Sequence, residues 1–234
     1  MRRAAAVHRD AKTLDGSAQE VEARYKAYPQ MFLGLMKEDA VVSPLLEVAR
    51  RTGMDPYFLA AAAFQEGYII FAMDADVGRK TKFNSINPMG LDSFPDYVNV
   101  MRRRGYLRPD YNAFKILERT WRNEADHELK VVDFDGAASA LEAMAGLLRF
   151  KEAQFLSDAK ALAIATEQIP RDEREMWTYV YFNFKNPKKQ LGEFGLGWVW
   201  SDAGMDKDLH NAKRVGATAA FLRRHKIFET PSDS

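Results

Sequence analysis

The sequence contains no cysteine. That excludes disulfide frameworks, thiolate metal sites and cysteine nucleophiles together. Long hydrophobic runs are also missing. The longest apolar stretch, near Tyr57–Ala63, soon meets Gln65 and Glu66, far short of the ~20 apolar residues that a bilayer crossing takes. No membrane span is expected. After Met1, Arg2 and Arg3, only Ala4–Val7 precede His8, Arg9 and Asp10, less than the ~7–15 apolar residues of a secretion-signal core. The expectation is a chain that is cytoplasmic at synthesis and that leaves the cell, if it does, by a route without a signal peptide. No charge sign dominates: 34 basic side chains face 33 acidic ones, a net charge of +1. Composition therefore supplies no field that would draw nucleic acid, and no nucleic acid partner is expected. His8, His127, His210 and His225 lack metal-ligand spacing and have no serine partner in a motif. Gly192, Gly195 and Gly197 follow no strand pattern, so they do not form a dinucleotide loop. No metal and no cofactor is expected.

What is present is enough for one core: 234 residues, 47% of them hydrophobic. The pattern predicts a flexible lead over 1–20, one domain over 21–228 and a disordered tail over 229–234. The fold class is mainly α, with a buried central helix and a small loop or β-hairpin region. Ser43–Pro44 signals a helix running to Arg51 and stopped by Gly53. Asp55–Pro56 repeats the signal and opens the central helix, about residues 56–69. Residues 71–95 carry Gly78, Asn84, Asn87, Pro88, Gly90 and Pro95 and read as a long loop or small hairpin. Further helices are predicted at Pro95–Arg104, at Tyr111–Glu128, from an Asp135 cap through Phe150, at Met176–Phe184 behind an Asp172/Glu175 capping box, and at Lys207–Lys226. In the last, Leu209, Ala212, Val215, Ala219 and Leu222 share one face. Almost nothing alternates with period two, so no large sheet is expected.

The central helix is apolar on every side, which is the signature of a helix buried in the molecule. Glu66 falls on its last turn, with Leu59, Ala62, Ala63, Ile69 and Ile70 as neighbours at helical spacing. Desolvation there disfavours the charged form of a carboxyl. Enzymes keep a general acid protonated near neutral pH in this way. A Glu66 turned outward, or paired with an arginine such as Arg79, is the plainer alternative.

The stretch Asp55-Pro56-Tyr57-Phe58-Leu59-Ala60-Ala61-Ala62-Ala63-Phe64-Gln65-Glu66 resembles the catalytic helix of the lysozyme-like superfamily, nearest to soluble lytic transglycosylases and goose-type lysozymes. Asn87-Pro88-Met89-Gly90-Leu91-Asp92-Ser93-Phe94 resembles that family's Gly-Leu-Met-Gln loop. Trp177-Thr178-Tyr179-Val180-Tyr181-Phe182-Asn183 resembles its later Ala-Tyr-Asn-Ala-Gly helix. The resemblance spans about residues 43–226. It departs at Gly67, where the family has Ser, at Asp92-Ser93, and at Phe184-Lys185. It implies a lysozyme-like helical domain that cleaves peptidoglycan or a related amino-sugar polymer. Glu66 is then the acid/base, Tyr181 its catalytic companion, and Gly90, Asp92, Tyr179 and Asn183 bind substrate. An inactive lysozyme-like protein, binding or structural, within a phage or injection-type particle is the competing expectation.

Other features carry less. Asp74, Asp76 and Asp92 are candidates for the second carboxylate that an inverting hydrolase needs, and each also suits a turn. Asp133-Phe134-Asp135-Gly136 is an incomplete calcium-loop pattern better explained as a helix cap. Arg102, Arg103, Arg104 and Arg108 form one basic cluster, and Lys213, Arg214, Arg223, Arg224 and Lys226 form another. Clusters of this kind are solvated faces unless they line one groove, where they attract anionic stems or phosphate-bearing polymers. Trp198 and Trp200 suit either a sugar platform or core closure.

Overall fold

The structure, a computed structural model, describes residues 36, 38–68, 72, 91, 94–122, 128–161, 176–181 and 207–229. Its elements are α1 (Asp39–Thr52), α2 (Pro56–Gln65), α3 (Phe94–Arg103), β1 (Phe114–Arg122), β2 (Glu128–Phe134), α4 (Ala137–Ala161) and α5 (Lys207–Arg224), with a helical stretch at 176–181. The chain is mainly helical, and the described strands form one two-stranded sheet. The predicted lead 1–20, residues 230–234 of the predicted tail and most of 71–95 lie outside the described residues.

Helix α1 begins at Asp39, four residues before the expected Ser43 cap, and Pro44 lies inside it. Proline cannot donate to the carbonyl of Ala40, but Ala40 is exposed, so water can take that bond. The amides of Val41 and Val42 both reach the Glu38 carbonyl at 2.9 Å. The predicted stop is correct. Gly53 adopts φ 67°, and the Met54 amide closes back on Ala49 at 3.1 Å, an ending that favours glycine.

Helix α2 starts as expected. Asp55 Oδ1 accepts the amides of Tyr57 (2.9 Å) and Phe58 (3.0 Å), and Pro56 fills a first-turn position that needs no donor. All eight side chains from Tyr57 to Phe64 are buried, each large one contributing ~1.5–3 kcal/mol relative to exposure. The helix is shorter than the predicted 56–69 and closes at Gln65. It packs against α5, α1 and α4. Tyr68, fully buried, donates its hydroxyl to the Val41 carbonyl at 2.9 Å and ties this end to α1. Burial pushes that phenol well above its ordinary pKa, so it stays a neutral donor.

The predicted helix Tyr111–Glu128 is instead the hairpin β1–β2, paired antiparallel from Phe114↔Phe134 to Arg122↔Glu128 with an irregularity between Leu117 and Thr120. The reason lies in tertiary packing. Val132 and Phe134 are buried on alternate positions while Asp133 between them is only half-buried. The rings of Phe114 and Phe134 close on Phe94 at 5.0 and 5.7 Å. A short alternation of β-branched and aromatic residues outweighs weak helical spacing here. The loop or small hairpin expected at 71–95 falls mostly outside the described residues, and the described hairpin stands where a helix was expected.

Helix α4 runs on past the expected end at Phe150 to Ala161. Its residues 140–148 are buried on all sides, and Ala138 before them is exposed. Its cap position belongs to Gly136, whose carbonyl accepts the Ala140 amide at 3.1 Å, rather than to Asp135. Tyr111 donates its hydroxyl to the Ser139 carbonyl at 2.5 Å. In α5 the predicted face is correct for Ala212, Val215, Ala219 and Leu222, all at most 1% exposed.

At Gly146 the 104–108 segment packs tightly against α4. A Cβ there would stand 2.9 Å from Leu107 Cδ2 and 3.1 Å from the Tyr106 carbonyl oxygen. Gly146→Ala gains ~1 kcal/mol in helix propensity but overpacks a site that includes backbone, at ~1–3 kcal/mol. Calorimetry should show a net loss of about 1 kcal/mol, or ~2–4 °C in Tm for a chain of this size, and a larger loss for Gly146→Val.

Candidate functional site

The site grows from the end of α2. The Glu66 amide still bonds to Ala62 at 3.1 Å, the Gly67 amide tightens onto Phe64 at 3.1 Å, and Gly67 turns the chain at φ 86°. L side chains rarely adopt that conformation. The glycine at 67, where the resembled family carries serine, therefore has a local backbone cause. Glu66 is the C-cap residue of α2, not a member of its last turn. Its side chain is 2% exposed, so the carboxyl sits inside the core.

Its partner comes from the helical stretch 176–181. The Tyr181 hydroxyl donates to Glu66 Oε1, and Tyr181 is fully buried. The two residues are 115 positions apart, and three contacts fix their register. The Phe58 and Trp177 rings stack at 5.7 Å and 8°. The Arg223 guanidinium lies over Tyr57 (5.3 Å) and Trp177 (5.0 Å). Arg223 also pairs with Asp55 Oδ2, so Asp55 caps α2 with one oxygen and holds α5 with the other. At the opposite end of α2, Gln65 Nε2 donates to Asn211 Oδ1 at 3.2 Å. Helices α2 and α5 are thus antiparallel and tied at both ends. Residues 176–181 run alongside α2 and deliver Tyr181 to Glu66.

The other predicted site residues separate into two groups. Tyr179 is 3% exposed and stacks on Phe155 of α4 at 5.4 Å. Two residues along a helix turn a side chain to nearly the opposite side, so Tyr179 faces α4 while Tyr181 meets Glu66. Gly90, Asp92 and Asn183 lie outside the described residues, as do Asp74, Asp76, Arg79, Trp198 and Trp200. Leu91 and Phe94, which flank the Asp92 motif, are fully buried.

Two features went unremarked in the sequence. One is the double use of Asp55 together with Arg223. The other is Glu142, 3% exposed, which receives Arg51 at 2.7 Å and both Nε (3.0 Å) and a terminal nitrogen (3.2 Å) of Arg108. The available signal was a glutamate inside the apolar run Leu141–Leu148, where a buried carboxylate requires cationic partners. Among the described residues no three His, Asp or Glu side chains gather as metal ligands, and no helix is long and apolar enough to cross a membrane.

The Asp55 junction is testable apart from any activity. Asp55→Ala removes a cap, at ~0.5–2 kcal/mol, and strips Arg223 of its carboxylate. Asp55→Asn keeps the cap and loses only the ion pair. Thermal unfolding should rank wild type above Asp55→Asn and Asp55→Asn above Asp55→Ala. Glu66→Gln keeps an oxygen for Tyr181 and removes a buried ionisable group, so its Tm should equal or exceed that of wild type.

Comparison of the chain with protein families, with curated proteins and with solved structures returns no match.

Proposed function

We propose that the protein is a peptidoglycan-cleaving glycosidase or lytic transglycosylase of lysozyme-like fold, with Glu66 as general acid and base. One observation carries this reading: a carboxyl 2% exposed, at the end of a helix buried from Tyr57 to Phe64, that accepts the hydroxyl of a buried tyrosine. Burial favours the neutral acid. A protonated Glu66 donates to the glycosidic oxygen as the bond to the anomeric carbon breaks. The resulting carboxylate then takes a proton from the nucleophile that closes on the anomeric carbon. In a transglycosylase that nucleophile is the sugar's own 6-hydroxyl, and in a hydrolase it is water. The Tyr181 hydroxyl holds the carboxyl in one rotamer throughout and stabilises it when it is charged. Gly90, Asp92 and Asn183 are assigned to substrate binding by the resemblance alone. Tyr179, packed on Phe155, supports the fold beside the site more directly than it supports sugar contact.

The same burial supports a second reading. A carboxyl with 2% exposure beside a fully buried tyrosine also suits a structural hydrogen bond. In that case the protein is a catalytically inactive lysozyme-like component of a phage or injection-type particle, binding amino-sugar polymer or partner protein.

Zymography on purified peptidoglycan, followed by mass spectrometry of the soluble fragments, separates them. Anhydro ends identify a transglycosylase and reducing ends a hydrolase. Glu66→Gln should abolish cleavage while the fold persists. Tyr181→Phe should lower turnover by ~10–100-fold, since each tenfold corresponds to ~1.4 kcal/mol of lost transition-state stabilisation. No fragments from wild type would sink the enzymatic reading and leave the binding one.

A further inference from the structure

Arg223 is held at the start of α2, and Glu66 stands at its end. From Asp55, the partner of Arg223, to Glu66 the helix rises by about 16 Å, so the guanidinium and the Glu66 carboxyl occupy opposite ends. One side chain nevertheless joins them. Arg223 lies 5.0 Å from the Trp177 ring centre, and Trp177 stands four residues before Tyr181. Residues 176–181 are helical, and helical positions four apart share a face, about 6 Å from one another. That face meets α2 at two points: Trp177 stacks on Phe58, and Tyr181 donates to Glu66.

The two contacts differ in what they tolerate. A hydroxyl–carboxyl bond survives only a few tenths of an ångström of displacement, and a slip of one helical residue, about 1.5 Å along the axis, breaks it. The Phe58 and Trp177 planes are 8° apart. Nearly parallel rings slide over one another at little cost, because offset stacking is favourable over a range of centroid separations. Tyr179 stacks on Phe155 at 20° and has the same freedom. These ring contacts hold the 176–181 stretch against its neighbours and leave its position along α2 loosely set.

Arg223 restrains that position. Asp55 caps α2 with Oδ1 and pairs with Arg223 through Oδ2, so the guanidinium is anchored to the first turn of α2. It lies over Tyr57 of that turn, at 5.3 Å, as well as over Trp177. Phe228 backs Tyr57, with ring centres 5.1 Å apart. Cation–ring attraction fades as the cation leaves the ring, so Trp177 is drawn to one place beside α2. We infer that Arg223 is a positioning residue for the Tyr181–Glu66 pair and acts on it through Trp177, from the far end of α2. A lysine at 223 keeps a charge for Asp55 but lacks the planar fork that pairs with a carboxylate and covers two rings together. The inference concerns the hydrogen bond itself, and only its effect on turnover rests on the proposed function.

The test is a double-mutant cycle on the full chain, Arg223→Lys against Tyr181→Phe, read by urea unfolding. Independent sites add and coupled ones do not. Arg223→Lys should lower the folding constant of wild type, and its effect should be at least about threefold smaller in the Tyr181→Phe background, where no hydroxyl remains to be aimed. A parallel cycle with Gly146→Ala, whose neighbours are Tyr106 and Leu107, should be additive. Infrared difference spectra between wild type and Tyr181→Phe isolate the Tyr181 phenol band, and Arg223→Lys should shift that band while the fold persists. Additivity of Arg223 with Tyr181, equal coupling in both cycles, or an unmoved phenol band overturns the inference. If Arg223→Lys fails to fold, Trp177→Phe, which keeps a ring for Phe58, takes its place under the same criteria. Cleavage of purified peptidoglycan is scored separately: Arg223→Lys should lower kcat with KM unchanged and add nothing to Tyr181→Phe. Coupling with no cleavage by wild type retains the positioning role and loses the glycosidase reading.

Discussion

Everything described here depends on enclosing a helix that has no polar side. With Tyr57–Phe64 buried throughout, α2 cannot lie on a surface, and its neighbours α1, α4 and α5 must cover it. A helix of ten residues is only about 15 Å long, so its two ends are the only places where polar groups can enter. Both are used. Asp55 at the start satisfies two orphan amides and holds Arg223. At the finish, Gln65 reaches Asn211 and Glu66 receives Tyr181. The alanines at 60–63 let neighbouring backbones come close, while Phe58, Leu59 and Phe64 supply most of the buried area. The position of Glu66 thus follows from how the core is built, whatever chemistry it performs.

What the sequence displayed and what it concealed divide along physical lines. Signals that act within a few residues were legible: the Asp55–Pro56 start, the Gly53 stop and the inward face of α5. So was the burial of α2, because an all-apolar run has only one stable environment. The pairing of Tyr181 with Glu66 was expected from a resemblance in motif order, since no local rule connects residues 115 apart. The hairpin was hidden because few of its residues alternate in sequence between apolar and polar; among the described side chains Val132, Asp133 and Phe134 on β2 do so. Phe94, from the start of α3, packs on Phe114 and Phe134 and is not visible from the strands' own pattern. Pro44 misled for a related reason. Proline favours a helix start, but an exposed carbonyl one turn earlier removes most of the penalty for placing it inside. The Arg223 junction was concealed because a basic residue near a C-terminus is ordinarily a solvated one.

Two carboxylates lie almost equally deep, and each has a different kind of described partner. Glu142 is 3% exposed and is held by Arg108 through both oxygens and by Arg51. Such a clamp satisfies the acceptor's geometry with fixed positive charge and joins α1, α4 and the 104–108 segment. Replacing one member leaves a buried charge, so its value is structural. Glu66 is 2% exposed, and Tyr181 gives it a neutral hydroxyl. A phenol can hold a carboxyl in either protonation state, whereas a guanidinium strongly favours the charged one. A group that must give up a proton and recover it needs the first kind of partner. Under the proposed function, the Tyr181 hydroxyl suits Glu66 to moving a proton, while the arginine clamp suits Glu142 to holding the fold.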